Sequence, residues 1–397
     1  MANTNLANAK NAKNDEFYTQ YPDIQKEINA YLDYDPDVFR GKTVLLPCDD
    51  PEWSNFTKFF AQNFELLGLK KLISTSYAVE SKKIKEWAPT LFETESPFYD
   101  ADKTRTNGKI FVLERDVTGD NRININDLQW NYLEGDGDFR SDEVKALRDE
   151  ADIIVTNPPF SLFREFVAWL MEAEKKFIII GNMNAITYKE VFHFIRNNRM
   201  WLGATGFVTD MVFGVPEGAK IKESDRAKAE RLGYVGNYTR LGNSCWFTNI
   251  DHGRRHQPLK LMTITENYKH SKHKEIREKK IYPHYDNCDA IEVPYTDAIP
   301  SDYDGIMGVP ISFLDKYCPE QFEIVGITKT WYGFANKTYP DQIQVGKDGK
   351  RSKVSKLNDG ATIRLTAIPE GETYYIVNDI MYTQVYARVL IRKKQTV

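Results

Sequence analysis

The residues that could do chemistry stand together in one short stretch, Asn157-Pro158-Pro159-Phe160. The side-chain carbonyl of Asn157 and the backbone carbonyl of Pro158 are both hydrogen-bond acceptors. Each proline fixes its own φ and keeps the residue before it out of the helical region, so the directions of both carbonyls are restrained. Two acceptors held in fixed directions are suited to binding the two hydrogens of an amino group beside the ring of Phe160.

The sequence on either side of this stretch predicts the elements that must position it. Residues 153–156 are typical of a buried strand, and residues 161–171 predict an amphipathic helix with Ser161 as its N-cap. These elements would place Asn157 at the carboxyl edge of an α/β sheet, where such folds bind ligands. An ordinary loop would explain Pro-Pro alone, but Asn-Pro-Pro-aromatic after a buried strand is similar to the target-amine motif of amino-group methyltransferases.

A βαβ unit near the N-terminus predicts the rest of that sheet. Residues 43–46 and 71–77 are typical of buried strands, and the Phe-rich helix between them ends at Gly68. Asp50 is the expected N-cap of that helix, with Pro51 at its first position. We therefore predict an α/β fold with a Rossmann-like, mostly parallel, doubly wound sheet and an antiparallel hairpin strand near its end. Further strands are expected at residues 109–113, 177–181, 201–214, 244–249, 322–327 and 385–391, and exposed loops or a β-hairpin insertion at Trp331–Glu372.

Length and composition indicate a globular protein with one large domain and a smaller one. The chain has 397 residues, of which 41% are hydrophobic and 28% charged. No apolar run approaches the length of a membrane span, the N-terminus has no signal-peptide core, and the cysteines form no C-x-x-C pair. We therefore expect a reduced, cytoplasmic protein without a membrane partner.

Positive charge is concentrated in the C-terminal part, although the net charge is −4. Asp251–Lys280 contains nine Lys/Arg against four Asp/Glu, and Gln321–Val397 contains twelve against seven. Such asymmetry suits a catalytic half joined to a DNA-contacting half, although basic solvated faces are common. The histidines between residues 252 and 284 lack paired zinc-ligand spacing, so we place them on a basic, phosphate-facing surface.

No metal site is predicted. Position six of a possible calcium-binding loop is Asn121 where Gly is required, so a polar hairpin turn is the preferred interpretation and calcium the alternative. The residues with calcium-loop spacing are Asp116, Thr118, Asp120, Asn124 and Asp127.

Several unusual strings occur in an order that resembles the EcoRI-type DNA adenine N6-methyltransferase family. They are Asp15–Tyr21, Cys48–Pro51, Gly135–Ser141, Val155–Phe163 and Gly308–Phe322. The resemblance implies a class I methyltransferase that transfers a methyl group from S-adenosylmethionine to N6 of a flipped adenine in a specific site of double-stranded DNA, as in restriction-modification systems. With it we expect a disordered tail at residues 1–14, a catalytic domain at 15–262 and a smaller DNA target-recognition region at 263–397.

The resemblance also implies roles for the residues at the acceptor turn. Asn157 and Pro158 would accept the N6 hydrogens, Pro159 would help to fix their direction, and no strong general base would be needed. Phe160 would stack on the flipped base, or else plug the space under the following helix. Trp246 would add a second aromatic contact to the base, with a core tryptophan as a nearly equal alternative.

The donor pocket would be built from acidic and aromatic residues. Asp49 is the better ligand for the positively charged end of S-adenosylmethionine, since Asp50 could simply cap its helix. Asp138-Phe139 would bind the adenine of the donor, and Tyr77 or Glu80 would replace the missing acidic ribose ligand. The residues assigned to this pocket are Phe17, Tyr18, Thr19, Cys48, Asp49, Asp50, Tyr77, Asp138 and Phe139.

Two other functions stay open at this point. One is an Asn-Pro-Pro methyltransferase that acts on RNA or on a protein glutamine, and the other is a catalytically silent DNA-binding protein on the same scaffold. The family suggests GAATTC as the target, but residues 331–385 are expected to extend beyond the family pattern and leave the target open. The expected protein is a monomer, with a restriction endonuclease for the same site as a possible partner.

Overall fold

The computed structural model describes residues 17–49, 54–78, 94–116, 118–119, 123, 127–208, 211–215 and 219–394. The chain divides into two compact units. Unit 1 takes in the described residues of Met1–Ala185 and Met200–Gly253, and unit 2 takes in those of Ile186–Arg199 and Arg254–Val397. The tail predicted at residues 1–14 lies outside the described residues.

The helices and strands are numbered in chain order. The helices are α1 (Tyr21–Leu32), α2 (Asn55–Gln62), α3 (Phe64–Leu67), α4 (Lys103–Thr106), α5 (Asp142–Glu150), α6 (Phe163–Glu172), α7 (Lys189–Arg196), α8 (Glu223–Arg231), α9 (Ile264–His270) and α10 (Lys274–Lys279). The strands of unit 1 are β1 (Tyr18–Thr19), β2 (Thr43–Leu46), β3 (Lys71–Ser76), β4 (Lys109–Leu113), β5 (Gln129–Tyr132), β6 (Ile153–Thr156), β7 (Lys176–Asn182), β8 (Trp201–Leu202), β9 (Val212–Gly214), β10 (Tyr238–Arg240) and β11 (Ser244–Thr248). Those of unit 2 are β12 (Ile291–Glu292), β13 (Met307–Pro310), β14 (Phe322–Ile327), β15 (Gln342–Val345), β16 (Arg351–Val354), β17 (Thr362–Arg364), β18 (Tyr374–Val377), β19 (Ile380–Gln384) and β20 (Arg388–Lys393). Within the described ranges, no helix has both the length and the apolar character that a bilayer span requires.

An eight-stranded sheet forms the centre of unit 1, in the order β5-β4-β3-β2-β6-β7-β11-β8. The central strands β3, β2, β6 and β7 pair in parallel. Strands β4 and β5 extend one edge and β11 and β8 the other, all in antiparallel pairing. The predicted α/β class is confirmed, but the prediction of a mostly parallel sheet is wrong, since four of the seven pairings described in this sheet are antiparallel. Antiparallel neighbours need no helical crossover, so these strands extend both edges without further βαβ units.

The strand order creates a switch point between β2 and β6. The chain runs from β2 through α2 and α3 to β3 on one side of β2, and β6 pairs with β2 on its other side. The carboxyl ends of β2 and β6 are therefore neighbours, which is the position where open α/β sheets bind ligands. All residues of these two strands are buried, as expected for strands covered on both faces.

Two predicted helix starts are wrong. The N-cap of α2 is Ser54, whose hydroxyl accepts a hydrogen bond from the backbone of Phe56, and this start buries the Phe side chains of the helix. Asp50, the predicted cap, and Pro51 lie outside the described residues. Helix α6 starts after a 3-10 turn at Phe160–Leu162, so Ser161 lies inside that turn and is not an N-cap.

Unit 2 contains two smaller sheets, in the orders β12-β13-β20-β14 and β16-β15-β18-β19-β17. The second is antiparallel throughout. Part of it falls in Trp331–Glu372, where loops or a β-hairpin insertion were expected. Its strands include Gln-Ile-Gln-Val and Arg-Ser-Lys-Val, and such short, polar sequences carry little of the hydrophobic pattern by which strands are predicted.

Candidate active site

A cavity of about 200 Å³ lies in unit 1 at the switch point between β2 and β6. Its wall combines residues from widely separated parts of the sequence. The predicted site residues on this wall are Phe17, Tyr18, Thr19, Cys48, Asp49, Tyr77, Asp138, Phe139, Asn157 and Pro159. The residues there that sequence reasoning missed include Ser54, Asn55, Gly137 and Arg140. Asp50 and Glu80 lie outside the described residues.

The amide of Asn157 is held in one orientation. Its Nδ2 donates a hydrogen bond of 2.7 Å to the backbone carbonyl of Phe17. Only a nitrogen can donate to a carbonyl, so the bond fixes which end of the amide is the oxygen. Oδ1 of Asn157 is buried and has no hydrogen-bond partner among the described residues. An unsatisfied buried acceptor costs about 1–3 kcal/mol, so it calls for an explanation such as a ligand that donates to it.

Asp49 connects the two loops that follow β2 and β6. Its side chain is only 6% exposed, and Oδ1 accepts a hydrogen bond of 2.7 Å from the hydroxyl of Ser54. Oδ2 accepts one of 2.7 Å from Oγ1 of Thr156. Thr156 is the last residue of β6 and the neighbour of Asn157. The acidic residue of the predicted donor pocket is therefore tied to the strand that carries the predicted acceptor.

A glycine turn brings Asp138 to the cavity. Gly137 has φ +83°, and a Cβ at this position would lie 2.3 Å from the backbone oxygen of Ser76, so a side chain does not fit. Hydrogen bonds from Arg140 hold the pKa of Asp138 below its usual value. Arg140 also pairs with Glu165 of α6 at 3.0 Å. Asp138 therefore reaches the cavity as an ionised group whose main partner, Arg140, was not predicted.

The predicted aromatic residues have different environments. The ring of Phe160 is half-buried and stacks on that of Phe17, with centroids 5.5 Å apart. Phe139 is on the cavity wall, but its ring also packs edge-to-face on Phe166 and Trp169 of α6. Trp246 is 2% exposed and packs edge-to-face on Phe56, which lies on the cavity wall, so its burial favours the core role, and stacking on a base stays a prediction.

The histidine-rich segment is not one phosphate-facing surface, contrary to the prediction. His252 is 1% exposed and packs edge-to-face on Tyr31 in unit 1. In unit 2, His256 lies 2.9 Å from Glu320 and His273 2.7 Å from Asp297. Each of these two histidine side chains is therefore in contact with a carboxylate. Among the described residues, no group of three or more His, Cys, Asp or Glu is arranged to hold a metal ion.

The hairpin turn predicted at residues 116–127 is only partly described, since Asp120 and Asn124 lie outside the described residues. The backbone N–H and the hydroxyl of Thr118 each donate 2.9 Å hydrogen bonds to Oδ1 of Asp127. The N–H of Gly119 donates to Oδ1 of Asp116. These contacts are those of a polar turn closed by its own side chains.

A large α/β sheet with a buried carboxylate after one strand and an Asn-Pro-Pro-Phe turn after its neighbour fits a Rossmann-like methyltransferase. The model of a family described as adenine-specific methyltransferase EcoRI matches residues 5–394. The chain belongs to this family, and the predicted enzyme class is confirmed. Because the match includes residues 331–385, the expectation that they extend beyond the family pattern is wrong.

Three curated relatives are each named as a type II methyltransferase. M.EcoRI of Escherichia coli is 42% identical over 331 residues, which cover 82% of this chain and 89% of the relative. M.MpnI of Mycoplasma pneumoniae is 33% identical over 80% of this chain and 83% of the relative. M.MgeORF184P of Mycoplasma genitalium is 30% identical over 98% of both chains. No solved structure matches the chain significantly.

Proposed function

We propose that this protein methylates N6 of an adenine in a specific site of duplex DNA, with S-adenosylmethionine as the methyl donor. The observation that carries the proposal is the state of Asn157. Its amide nitrogen is bonded to the Phe17 carbonyl, whereas its oxygen is a buried acceptor without a partner among the described residues. The exocyclic amine of adenine is a donor that matches this acceptor, and the family is adenine-specific.

The acceptor turn would activate the amine by orienting it. The N6 lone pair is delocalised into the adenine ring, so the nitrogen is a poor nucleophile until it becomes tetrahedral. Hydrogen bonds from its two hydrogens to Oδ1 of Asn157 and to the carbonyl of Pro158 would favour that geometry. Oδ1 is oriented by the bond from Nδ2 to the Phe17 carbonyl, and Pro159 restricts the backbone of Pro158. An adenine in duplex DNA must leave the base stack to reach them, and Phe160 beside the turn is the proposed stacking partner.

The residues on the cavity wall fit S-adenosylmethionine, which when bound supplies an electrophilic methyl group. Asp49 is a buried carboxylate, and Asp138 is kept ionised by Arg140. Carboxyl oxygens suit a ligand that carries sulfonium and ammonium groups, and the charge of Asp138 is shared with Arg140 on the same wall. The rings of Tyr77 and Phe139, also on the wall, supply flat apolar surface for its adenine.

Residues 263–397 are the proposed DNA target-recognition region, and residues 15–262 the proposed catalytic domain. The basic balance of Gln321–Val397, with twelve Lys/Arg against seven Asp/Glu, supports a polyanionic partner. The type II relatives also suggest a restriction endonuclease for the same site as a partner of this protein. A monomer would suffice, since each strand of the site can be methylated separately.

Labelled S-adenosylmethionine, offered with duplex DNA, RNA and protein in separate reactions, tests the substrate. We expect label on adenine N6 of duplex DNA, and label in protein or RNA alone would contradict the proposal. Asn157→Ala should lower turnover by orders of magnitude while DNA binding persists. A wild-type protein that binds DNA without turnover would be the silent DNA-binding protein.

A further inference from the structure

The two basic segments of the chain differ in how their charges are used. In the first, Asp251–Lys280, four of the nine Lys/Arg form ion pairs. The ion pairs are Arg254–Asp315 at 2.6 Å, Lys272–Asp297 at 2.6 Å, Lys274–Glu278 at 3.4 Å and Lys279–Glu275 at 2.7 Å. Among the described residues, the exposed cations of this segment without an acidic partner are Lys260, Lys269 and Lys280, spread over its 30 residues.

The hairpin of β15 and β16, with the residues directly after it, has a higher density of unpaired cations. From Gly346 to Lys356 there are five Lys/Arg and one acidic residue, and all five cations are exposed. Among the described residues, only Lys350 of these five has an ion-pair partner, Asp348 at 3.0 Å. The exposed cations without an acidic partner are Lys347, Arg351, Lys353 and Lys356.

The strand geometry gives two of these cations a common direction. Val354 packs against a buried cluster around Tyr375 and Tyr382, and successive strand residues point to opposite faces. Arg351 and Lys353 therefore point away from that cluster, about 7 Å apart along β16. Since β16 is the edge strand of its sheet, no further strand of the sheet covers its outer side in the described residues.

Charges on an edge strand can also serve only to prevent edge-to-edge aggregation. Lysine is especially common in that role. Lys347 and Lys356 lie outside β16 itself, so protection of the edge does not account for them, whereas an anionic partner would.

We propose that the hairpin surface, defined by Lys347, Arg351, Lys353 and Lys356, binds the phosphate backbone of duplex DNA. The proposal rests on the proposed function, which supplies duplex DNA as the substrate. Each cation that contacts a phosphate releases a counterion, so the contact strengthens binding to every sequence and makes binding depend on salt. Phosphate contacts fix the orientation of the protein on the duplex, whereas the choice of sequence depends on base contacts elsewhere.

The test is the salt dependence of binding to duplex DNA by Arg351→Gln/Lys353→Gln. Loss of two phosphate contacts should reduce the slope of log K against log salt by about 1.8, because each contact contributes about 0.9. The ratio of cognate to non-cognate affinity should stay the same. Lys274→Gln/Lys279→Gln is the matched control, because it removes the same charge from ion-paired positions and should leave the slope unchanged.

An unchanged slope in the hairpin variant, or an equal reduction in the control, would overturn the proposal. Thermal unfolding of each variant shows whether it is folded, and Lys347→Gln/Lys356→Gln provides a second pair on the same surface. Methylation of duplex DNA by the wild-type preparation is measured in parallel. Its absence would contradict the proposed function, whereas wild-type methylation with an unchanged slope in both hairpin pairs would contradict only the hairpin surface.

Discussion

Thr156→Val would test whether the bond between Thr156 and Asp49 positions the acceptor turn. Valine has nearly the shape of threonine, so the main change is loss of the hydroxyl that donates to Oδ2 of Asp49 at 2.7 Å. Thr156 is 0% exposed, so water cannot replace that donor without rearrangement. Removing the partner of a buried polar group costs about 1–3 kcal/mol, and the free energy of unfolding should fall by that amount.

Turnover should fall further than stability explains. Asn157 follows Thr156 directly, and a displacement of about 1 Å at a reacting group can reduce rate about 100-fold. Single-turnover methylation with saturating donor and DNA measures this step, and denaturant unfolding measures stability on the same samples. Thr156→Ser retains the hydroxyl and should recover most of the rate.

Thr248→Val is the matched control for this experiment. Thr248 is also 0% exposed, and its hydroxyl donates a 2.7 Å hydrogen bond to the carbonyl of Phe177 and accepts one of 3.0 Å from the backbone of Ile250. Thr248 lies on β11, whereas Thr156 directly precedes the acceptor turn. The Thr248→Val variant should have a lower free energy of unfolding than the wild-type protein and should keep the wild-type turnover. If Thr156→Val loses stability and yet turns over at the wild-type rate, the bond to Asp49 has a structural role only and the positioning role is refuted.

Two further predictions concern the turn that carries Asp138. Gly137→Ala places a Cβ 2.3 Å from the carbonyl oxygen of Ser76, at a residue with φ +83°. The free energy of unfolding should fall by at least about 1 kcal/mol, and the affinity for the methyl donor, measured by calorimetry, should fall as well. Unchanged donor affinity would show that this turn is not part of the donor pocket. Arg140→Gln removes the hydrogen bonds that lower the pKa of Asp138. Because the pKa of Asp138 is lower in the folded protein than its unfolded value of 3.8, the pairing with Arg140 stabilises the fold above pH 3.8. This stabilisation is lost as the pH falls through the pKa of Asp138 in the folded protein. Urea unfolding should therefore show a larger loss for this variant at pH 7 than below pH 3.8, and an equal loss at both would contradict the proposed pairing.

The parts of the fold that could be predicted are those determined by a short stretch of neighbouring residues. Strands β2, β4, β6 and β14 have the predicted bounds or nearly so, because each is a short apolar run between turn residues. The cavity wall likewise contains most predicted pocket residues, because most of them belong to the short strings that carry the family resemblance.

What could not be predicted depends on contacts between distant parts of the chain. Ser54 and Thr156 have ordinary sequence surroundings, and their importance comes from hydrogen bonds to Asp49. The pairing of Arg140 with Glu165 depends on where α6 packs. Residue type alone does not assign a role to Trp246, because an aromatic side chain is suited both to a core and to stacking on a base. Its 2% exposure depends on the tertiary fold.

The switch point explains why the proposed donor and acceptor residues lie close together although they are far apart in sequence. Asp49 and Thr156 are separated by 107 residues, but β2 and β6 are adjacent parallel strands, so their carboxyl ends lie side by side. Backbone pairing of β2 and β6 thus brings the proposed donor pocket and the acceptor turn together, and the Thr156–Asp49 hydrogen bond links them. A substitution in either loop should therefore affect both donor binding and turnover, whereas a change in the hairpin surface should affect DNA affinity alone.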